Sequence, residues 1–219
     1  MDLYFNYGEK ELAYLKAKDK KLAAVIEKIG YIERKVDSDM FSSVIHHIIG
    51  QQISTAAQRS VWNRLCSKLG AVEADGILLL GREELRSVGM SYKKAEYISD
   101  FAAKIKDGVF DISSLETLDD AAVVKELTSL KGVGVWTAEM LLIFCLQRPD
   151  VVSYGDLGIL RGLRMLYRHK KIDREKFLRY RKRYSPYGTV ASFYLWAVAG
   201  GAIPELTDPA STKSGKREV

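Results

Sequence analysis

The spacing of the apolar residues constrains the fold of this chain more than any other feature. Apolar positions recur every three or four residues over most of the sequence, as they do on the buried side of an amphipathic α-helix. Four groups show this spacing: Leu22, Val25, Ile26 and Ile29; Phe41, Val44, Ile45, Ile48 and Ile49; Ala57, Val61, Leu65 and Leu69; and Ala95, Ile98, Phe101 and Ala102. Because the alternation typical of strands is nearly absent, we predict an all-α fold.

Local signals predict where these helices begin and end. Gly30 and Gly70 each end a helix, and Ser54 is suited to begin one as its N-cap. Either Asp37 or Ser38 can cap the helix that precedes Ser54. We predict further helices at residues 71–80, 82–88, 92–106 and 119–127.

The charge and cysteine content limit the class of protein. With 34 Lys and Arg against 28 Asp and Glu, the chain has a formal net charge of +6, which favours a polyanionic partner such as nucleic acid. A basic protein that binds no nucleic acid has the same balance. Two cysteines, Cys66 and Cys145, are too few for a disulfide framework or an iron–sulfur site. We therefore expect no catalytic metal and no required cofactor.

The two termini lead to separate predictions. The N-terminus lacks the basic segment and apolar run of a secretory signal, and no apolar stretch is long enough to cross a bilayer. We therefore expect a cytoplasmic protein with no membrane partner. Residues 210–219 are polar, basic and poor in apolar side chains, which is typical of a mobile tail.

The segment from Leu130 to Ala138, with the sequence LKGVGVWTA, predicts a tight hairpin between two helices. Gly132 and Gly134 permit positive φ and allow another backbone to approach closely. The first amides of the second helix have no partner within it and lie at the positive end of its dipole. A DNA phosphate fits this position, and such a contact ignores base sequence. An ordinary helical hairpin without a ligand has the same glycine pattern.

Candidate phosphate contacts lie in this hairpin and at one other helix start. Lys93 and Lys94 follow a turn at Gly89, and Lys93 is the second candidate contact, although both lysines also fit a solvated surface. The hairpin candidates are Lys131, Gly132, Val133, Gly134, Val135 and Thr137.

Four motifs together resemble the helix-hairpin-helix/Gly-Pro-Asp superfamily of DNA repair glycosylases, and within it the 3-methyladenine DNA glycosylase II branch. They follow the order and spacing of the family over most of the chain. The motifs are Ile49-Gly50-Gln51-Gln52-Ile53-Ser54, the hairpin with Trp136-Thr137-Ala138, Tyr154-Gly155-Asp156-Leu157-Gly158, and Pro186-Tyr187 followed by Ala191 and Trp196. The resemblance implies a monofunctional glycosylase of base excision repair, which removes alkylated purines such as 3-methyladenine from double-stranded DNA after flipping the damaged base.

The resemblance implies that Asp156 is the catalytic aspartate. The surrounding residues agree, because Asp156 precedes a helical pattern and is an N-cap candidate; a purely structural cap is the alternative. A fixed carboxylate can stabilise the oxocarbenium character of the deoxyribose and can orient or deprotonate the attacking water. Asp150 is the competing carboxylate, but it lies in a loop beside Pro149 and not at a helix start.

The hairpin also bears on the type of cleavage. Relatives with lyase activity have a lysine nucleophile on the second hairpin helix, and the resemblance gives Trp136 as the matching residue. An indole cannot form a Schiff base. We therefore predict hydrolysis by water, with no lyase activity, that leaves an abasic site in an intact strand.

The resemblance further implies a pocket for the flipped base. Trp136 and Trp196 match the pocket tryptophans of the resembled branch, and Met140 and Leu157 are additional candidates. A base must leave the stack before its bond to the sugar is hydrolysed. An alkylated purine is often cationic, and an indole face attracts a cation by about 0.5–2 kcal/mol. Taken singly, each tryptophan is more typical of an apolar core than of a pocket.

Two more roles follow from the resemblance. Flipping leaves a gap in the base stack, and Gln52 is the residue expected to fill it, with Gln51 beside it. A polar surface turn is the alternative for these glutamines. Relatives also bind Na⁺ or K⁺ through hairpin carbonyls, and the matching residues are Thr128, Leu130 and Val133.

The implied architecture has two helical lobes with a DNA-binding cleft between them, in a monomer. One lobe comprises residues 36–146 and ends in the hairpin; the other joins residues 1–35 to residues 147–209 and contains Asp156. Two other functions stay open. One is a monofunctional glycosylase for uracil, an oxidised purine or a mismatch. The other is a non-catalytic helix-hairpin-helix DNA-binding protein, which the combination of Asp156 with two pocket tryptophans disfavours.

Overall fold

A computed structural model describes residues 3–37 and 39–210 of the chain. Within these residues the structure is nearly all-helical, which confirms the predicted fold class. The helices are α1 (Glu9–Lys18), α2 (Lys20–Ile29), α3 (Met40–Gly50), α4 (Thr55–Leu69), α5 (Ala74–Ser87), α6 (Tyr92–Lys106), α7 (Asp120–Thr128), α8 (Val135–Phe144), α9 (Leu157–Tyr167), α10 (Arg174–Tyr184) and α11 (Gly188–Ala199). None of the helices in this part of the chain is both long enough and apolar enough to cross a membrane.

The chain forms two compact units. The first, called here the hairpin unit, comprises residues 37–146, and the second, the Asp156 unit, joins residues 1–36 to residues 147–219. These divisions lie within one residue of the predicted internal lobe boundaries, whereas the cleft stays a prediction. Of the tail predicted for residues 210–219, all but Ala210 lies outside the described residues.

The hairpin unit contains α3 to α8, and its helices bury the sides that the apolar spacing predicts, except at the start of α4, where Ala57 is exposed. The residues at these positions that are no more than 1% exposed are Val44, Ile45, Ile48, Ile49, Leu65, Ala95, Ile98, Phe101 and Ala102. In contrast, α8 is apolar on nearly every side and buries most of its length, as expected of a helix in the centre of a unit.

The Asp156 unit is built around α11, which is buried continuously from Gly188 to Leu195. Helices α1, α2, α9 and α10 all contact it. A short antiparallel pair of strands, β1 (Leu3–Tyr4) and β2 (Lys35–Val36), completes this unit, with Leu3 opposite Val36. The apolar spacing did not predict these strands, because two residues are too few to show an alternation.

The start of α3 differs from the prediction. Its N-cap is Asp39, whose carboxylate accepts a hydrogen bond from Ser42 N at 3.0 Å. Asp37, one of the two predicted caps, instead accepts a hydrogen bond from the Ser43 hydroxyl at 2.6 Å. The other predicted cap, Ser38, lies outside the described residues. The prediction of Asp37 is wrong because three nearby residues are all good N-caps and sequence does not rank them.

Other helix ends agree with the sequence. Ser54 caps α4 by accepting a hydrogen bond from Ala57 N at 3.2 Å, and α6 has the predicted bounds. The two helices predicted at residues 71–80 and 82–88 form one run, α5, which Gly81 interrupts with a φ of +73°. The predicted break is therefore present within α5.

Candidate active site and nucleic-acid interface

The predicted hairpin is formed by the end of α7 and the start of α8. Helix α7 ends at Thr128, one residue beyond its predicted end, and α8 begins at Val135 within the predicted hairpin. Between them, Val133 N donates a hydrogen bond to Leu130 O at 3.1 Å and closes a tight turn. Gly132 has a φ of +83°, a conformation that other residues adopt only at a cost. The glycine at this position is therefore required by the backbone of the turn.

Gly134 differs from Gly132 in its backbone. A Cβ on Gly132 would collide with the Tyr97 ring, whereas nothing lies within 4 Å of the position that a Cβ on Gly134 would take. Gly134 has a φ of −95° and is the N-cap of α8, so Gly132 alone of the two uses the positive φ that both glycines permit. The extended backbone of an N-cap explains this value. Open space beside Gly134 is what the approach of a phosphate requires.

The start of α8 presents backbone amides ahead of its first internal hydrogen bond. That bond runs from Ala138 N to Gly134 O at 3.0 Å, so the amides of Val135, Trp136 and Thr137 precede it. Val135 is 56% exposed, whereas the Thr137 side chain is buried. Of the predicted contacts in this segment, Thr137 can therefore reach a phosphate only through its backbone.

The two lysines predicted to contact phosphate are exposed and already contact other side chains. Lys131 Nζ lies 3.2 Å from Asp100 Oδ1, and Lys93 Nζ lies 5.8 Å from the centre of the Tyr97 ring. Exposed ion pairs of this kind contribute little to stability. A phosphate can therefore compete with Asp100 for Lys131, and the role of both lysines stays a prediction.

The loop that follows α3 is attached to the hairpin. Gln51 Nε2 donates a hydrogen bond to Gly132 O at 2.5 Å. Gln52 is exposed and has a φ of +57°, in the left-handed region that a residue other than glycine occupies at a cost. Gln51 is thus anchored, and Gln52 is the one of the two glutamines that faces solvent. Its role as the gap-filling residue stays a prediction.

Lys94 has a role in this loop that the sequence did not reveal. Its Nζ donates hydrogen bonds to Ile49 O at 2.8 Å and to Gln51 O at 2.7 Å, at the C-terminus of α3. A cation is favourable there because the carbonyls at a helix C-terminus carry partial negative charge. Burial lowers the pKa of Lys94. Lys94 therefore supports the two glutamines, and it is not the solvated lysine that its sequence position also allowed.

Two of the predicted pocket residues lie on α8. Trp136 is 41% exposed, and its ring meets the His47 ring edge to face with 6.1 Å between centres. Burial, followed by the charge of His46, lowers the pKa of His47 to about 4, so this imidazole is neutral near pH 7. Met140 is only 3% exposed. The exposed indole of Trp136 therefore lies beside an uncharged His47 ring.

Asp156 is the N-cap of α9, as the sequence predicts. Its Oδ1 accepts a hydrogen bond from Ile159 N at 2.8 Å and a second from Trp196 Nε1 at 2.9 Å. The residue is only 8% exposed. A carboxylate that is both buried and held by two donors is fixed in position, and Trp196 of α11 is therefore part of its immediate surroundings.

Two glycines of α9 allow α11 to come close enough for this contact. A Cβ on Gly158 would lie 2.9 Å from Trp196 Cδ1 and 3.1 Å from Asp156 Oδ1. A Cβ on Gly162, one turn later, would collide with the backbone carbonyl of Leu195. Sequence reasoning missed this function of Gly158 and Gly162. Two glycines four residues apart on one face of an amphipathic helix are the signal that could have indicated it.

The surroundings of Trp196 include a cation and an exposed leucine. Arg34 Cζ lies 5.5 Å from the centre of the Trp196 ring and 5.8 Å from that of Phe193. Leu157, a predicted pocket residue, directly follows Asp156 and is 81% exposed. An apolar side chain this exposed next to a buried carboxylate is suited to contact a ligand. Sequence reasoning did not identify Arg34, which lies outside every motif.

The competing carboxylate, Asp150, accepts hydrogen bonds at the start of α11. Its Oδ2 accepts a hydrogen bond from the Ser185 hydroxyl at 2.6 Å, and its Oδ1 accepts one from Gly188 N at 3.0 Å. Asp150 therefore attaches the loop before Asp156 to the N-terminus of α11. Both of its oxygens have hydrogen-bonding partners within the protein.

A metal site of acidic, histidine or cysteine side chains is not found in the described part of the chain, where no group of three or more such residues could hold an ion. The carbonyls proposed for a monovalent cation belong to Thr128, Leu130 and Val133. Leu130 O already accepts the hydrogen bond of the turn, and a carbonyl oxygen has a second lone pair for another interaction. The cation stays a prediction.

Comparison with curated proteins gives relatives named DNA-3-methyladenine glycosylase. DNA-3-methyladenine glycosylase 1 of Schizosaccharomyces pombe is 30% identical over 178 residues, which cover 79% of this chain and 77% of the relative. A DNA-3-methyladenine glycosylase of Bacillus subtilis is 26% identical over 173 residues, which cover 73% of this chain. The chain spans 57% of the length of that relative and 64% of a second one from the same organism.

Solved structures resemble the chain over most of its length. A DNA-3-methyladenine glycosidase from Bacillus halodurans has a TM-score of 0.82 and 34% identity, and the match covers 93% of this chain and 95% of that one. The Schizosaccharomyces pombe 3-methyladenine DNA glycosylase, in complex with abasic DNA, has a TM-score of 0.75 and 27% identity, with 90% and 99% coverage.

The family itself is identified by a sequence profile. The profile described as HhH-GPD superfamily base excision DNA repair protein matches residues 45–186, which include the hairpin and Asp156. The match confirms the resemblance inferred from the four motifs. The chain belongs to the HhH-GPD superfamily of base excision DNA repair proteins.

Proposed function

We propose that this chain is a monofunctional DNA glycosylase that hydrolyses the N-glycosidic bond of alkylated purines such as 3-methyladenine. The observation on which the proposal depends is the Asp156 carboxylate, buried at the start of α9 and held through Oδ1 by Ile159 N and Trp196 Nε1. The names of the relatives, which refer to 3-methyladenine, support this substrate class.

The proposed mechanism uses the fixed negative charge of Asp156. As the bond from C1′ to the base lengthens, its electron pair moves to the base and positive charge develops on the deoxyribose. A carboxylate already positioned in a largely water-excluded site stabilises that charge without reorganisation. Water then adds to C1′ and loses a proton, which the carboxylate or solvent accepts. The products are the released base and an abasic site.

Alkylated purines suit this arrangement because a cationic base leaves without prior protonation. Trp136 is the residue to which we assign recognition of the positive charge, since its indole is exposed beside the neutral His47 ring. Trp196 has a different proposed role, because its N–H is bonded to Asp156 and its ring already contacts Arg34. Leu157 would provide an apolar contact next to the sugar.

The absence of lyase activity is part of the proposal. A lyase requires an amine that attacks C1′ and forms a Schiff base. Trp136 occupies the position on α8 at which lyase-competent relatives have lysine, and Lys131 is in the turn, paired with Asp100. Cleavage by water follows from this set of residues.

The experiment that tests the proposal uses duplexes that each contain a single lesion. Release of 3-methyladenine or 7-methylguanine, with strand breaks only after alkali, would support it. Release of only uracil or oxidised guanine would indicate a glycosylase for another lesion. No release from any duplex that the protein binds would indicate a non-catalytic binding protein. Strand breaks before alkali would contradict the assignment as monofunctional.

Three further expectations accompany the proposal and stay predictions. They are a monovalent cation at the hairpin carbonyls, a monomeric state and a cytoplasmic location. No step of the mechanism depends on any of them.

A further inference from the structure

Arg34 is a half-buried cation in the Asp156 unit, and the mechanism proposed above does not use it. It lies directly before β2, where its backbone carbonyl accepts a hydrogen bond from Phe5 N at 2.8 Å. Its guanidinium extends over the Phe193 and Trp196 rings, with Cζ 5.8 Å and 5.5 Å from their centres. The aromatic rings therefore fix the position of the positive charge.

The Arg34 guanidinium has no directly bonded anionic partner among the residues that the structure describes. Among residues 3–37 and 39–210, no carboxylate forms an ion pair with it, and its buried Nε has no hydrogen-bond partner. Burial lowers the pKa of Arg34. A partly desolvated charge without an anion is costly, and contacts with two ring faces offset only part of that cost. Such a group is suited to bind an anion that comes from outside the protein.

The place of Arg34 identifies the region that such an anion would occupy. The Trp196 indole touches both groups, with Arg34 over its ring and its Nε1–H donated to Asp156. The cation and the catalytic carboxylate are therefore separated by a single side chain. An anion bound at Arg34 would lie within about one nucleotide of the reacting sugar, given the spacing of phosphates along a strand.

We propose that Arg34 binds a DNA backbone phosphate that flanks the flipped nucleotide. This inference rests on the proposed function, because it places the reacting deoxyribose at Asp156. The Asp156 carboxylate repels the phosphates that enter the site with the sugar, and a cation beside it opposes that repulsion. A guanidinium also presents two parallel N–H donors that match the oxygens of a phosphate.

A second role is conceivable for the same contacts, in which Arg34 only orients the Trp196 ring. The two roles lead to different measurements. A phosphate contact contributes to the affinity for DNA and to its salt dependence, since binding releases counterions from the phosphate. An orienting residue would affect the rate of base release and would leave binding and its salt dependence unchanged.

The experiment measures binding to a duplex that contains a tetrahydrofuran abasic-site analogue at several salt concentrations. Arg34→Met keeps a long side chain against the two rings and removes the charge, and Arg34→Lys restores the charge. We expect Arg34→Met to raise Kd about tenfold at low salt. The slope of log K against log salt should fall by about 0.9. Arg34→Lys should retain most of the affinity.

Lys20→Met is the matched control, because Lys20 is an exposed lysine of the same unit that lies outside the site. It should change Kd less than about twofold, as expected for an exposed charge with no direct contact. Wild-type binding by Arg34→Met would overturn the proposal, and a slower base release in that variant would then assign Arg34 to the orientation of Trp196.

A methylphosphonate placed on either side of the abasic analogue identifies the phosphate. At one of the two positions it should weaken wild-type binding and have no additional effect on Arg34→Met, which is the sign of a direct partner. Equal losses in both proteins at both positions would contradict the proposal. The duplex contains no base to release, so the binding result does not depend on catalysis. If the wild-type protein excised no alkylated purine, the proposed function would be refuted, but the test of the phosphate contact at Arg34 would still stand.

Discussion

The hairpin unit and the Asp156 unit differ in sign of charge. Residues 37–146 include 11 Lys and Arg against 15 Asp and Glu, a net charge of −4. The rest of the chain has 23 Lys and Arg against 13 Asp and Glu, a net charge of +10. The hairpin that is expected to contact the DNA backbone therefore belongs to the negatively charged unit.

The positive charge is concentrated in one part of the Asp156 unit. Residues 157–184, which span α9 and α10, include 11 Lys and Arg and only 2 Asp and Glu. Exposed basic residues of this segment that form no ion pair within the described chain are Arg168, Lys170, Lys171, Arg174, Arg179, Arg181 and Lys182.

The two units offer two different kinds of contact to DNA. The hairpin offers uncharged amides in a fixed geometry, which position a phosphate but attract it only over a short range. The basic segment of the Asp156 unit offers many mobile charges, which attract DNA over a longer range. We therefore propose that long-range attraction and chemistry are properties of the Asp156 unit and that positioning is a property of the hairpin unit.

The largest expected effect is on Asp156, and Asp150 of the same unit should differ from it. Asp156→Asn should lower the rate of base release by about 10³-fold or more, because it removes the charge that stabilises the transition state. Binding to lesion DNA should persist. Asp150→Asn is the matched control, since Asp150 bonds to Ser185 and Gly188, and it should keep a rate within a few-fold of wild type. If single-turnover rates showed that Asp150→Asn is the slower variant, Asp150 would be the catalytic carboxylate and Asp156 the structural one.

A smaller effect is expected when the Asp156–Trp196 contact alone is disturbed. Gly158→Ala places a Cβ against Trp196 and Asp156, so the indole must move and its hydrogen bond weakens. We expect base release to slow by about ten- to a hundredfold, the range for loss of a hydrogen bond to a charged group. Gly8→Ala, at a helix N-cap of the same unit with nothing within 4 Å of its Cβ, is the control. Equal rates in the two variants would remove Trp196 from the mechanism.

Because the hairpin unit offers uncharged amides and the Asp156 unit offers basic side chains, we predict two patterns of salt dependence. Replacing Arg179, Arg181 and Lys182 together with alanine should flatten the slope of log K against log salt, by about 0.9 for each phosphate that these side chains neutralise in the wild-type complex. Gly134→Ala should weaken binding by about tenfold with an unchanged slope, because its methyl group blocks a phosphate from uncharged amides.

Measurements of Kd from low to high salt decide between these patterns. The open space around Gly134 means that Gly134→Ala should not disturb the fold, and its φ of −95° is accessible to alanine. A slope that falls with Gly134→Ala and stays constant in the triple variant would reverse the assignment of the two units.

The smallest expected effect is on the stability of the hairpin unit. The pKa of His47 falls to about 4 on folding from an ordinary 6.5, mainly through burial. The unfolded chain therefore binds more protons between these values, so the free energy of unfolding is fully retained above 6.5 and decreases as the pH falls towards 4. His47→Gln should reduce this dependence, as measured by thermal unfolding at a series of pH values. His46 contributes in the same direction, because burial also lowers its pKa. An identical pH profile for the variant would show that His47 is not the titrating group.

Much of the fold could be predicted because helical spacing and caps are local properties of the sequence. The bounds of α6 and the caps Ser54 and Asp156 are examples that the structure confirms. The choice among Asp37, Ser38 and Asp39 was not predictable, since Asp and Ser cap helices about equally well. In each case the information lies within a few residues of the helix end.

The candidate site shows where sequence reasoning stops. The motifs located Asp156 and Trp196, but they did not indicate that one donates a hydrogen bond to the other across 40 positions. Lys94 and Arg34 were missed for the same reason, because each acts on groups distant in sequence. Gly158 is in a motif, yet its function depends on the helix packed against it. Packing between distant segments determines all of these contacts.

The most direct test is a crystal structure of the protein with a duplex whose alkylated nucleotide resists hydrolysis because of a 2′-fluoro group. The proposed function predicts that the Asp156 carboxylate lies about 3.5 Å from C1′ of the flipped nucleotide, the separation of reacting groups in a productive complex. A flipped nucleotide whose C1′ is far from Asp156, or a lesion that stays in the stack with the complex otherwise formed, would contradict it.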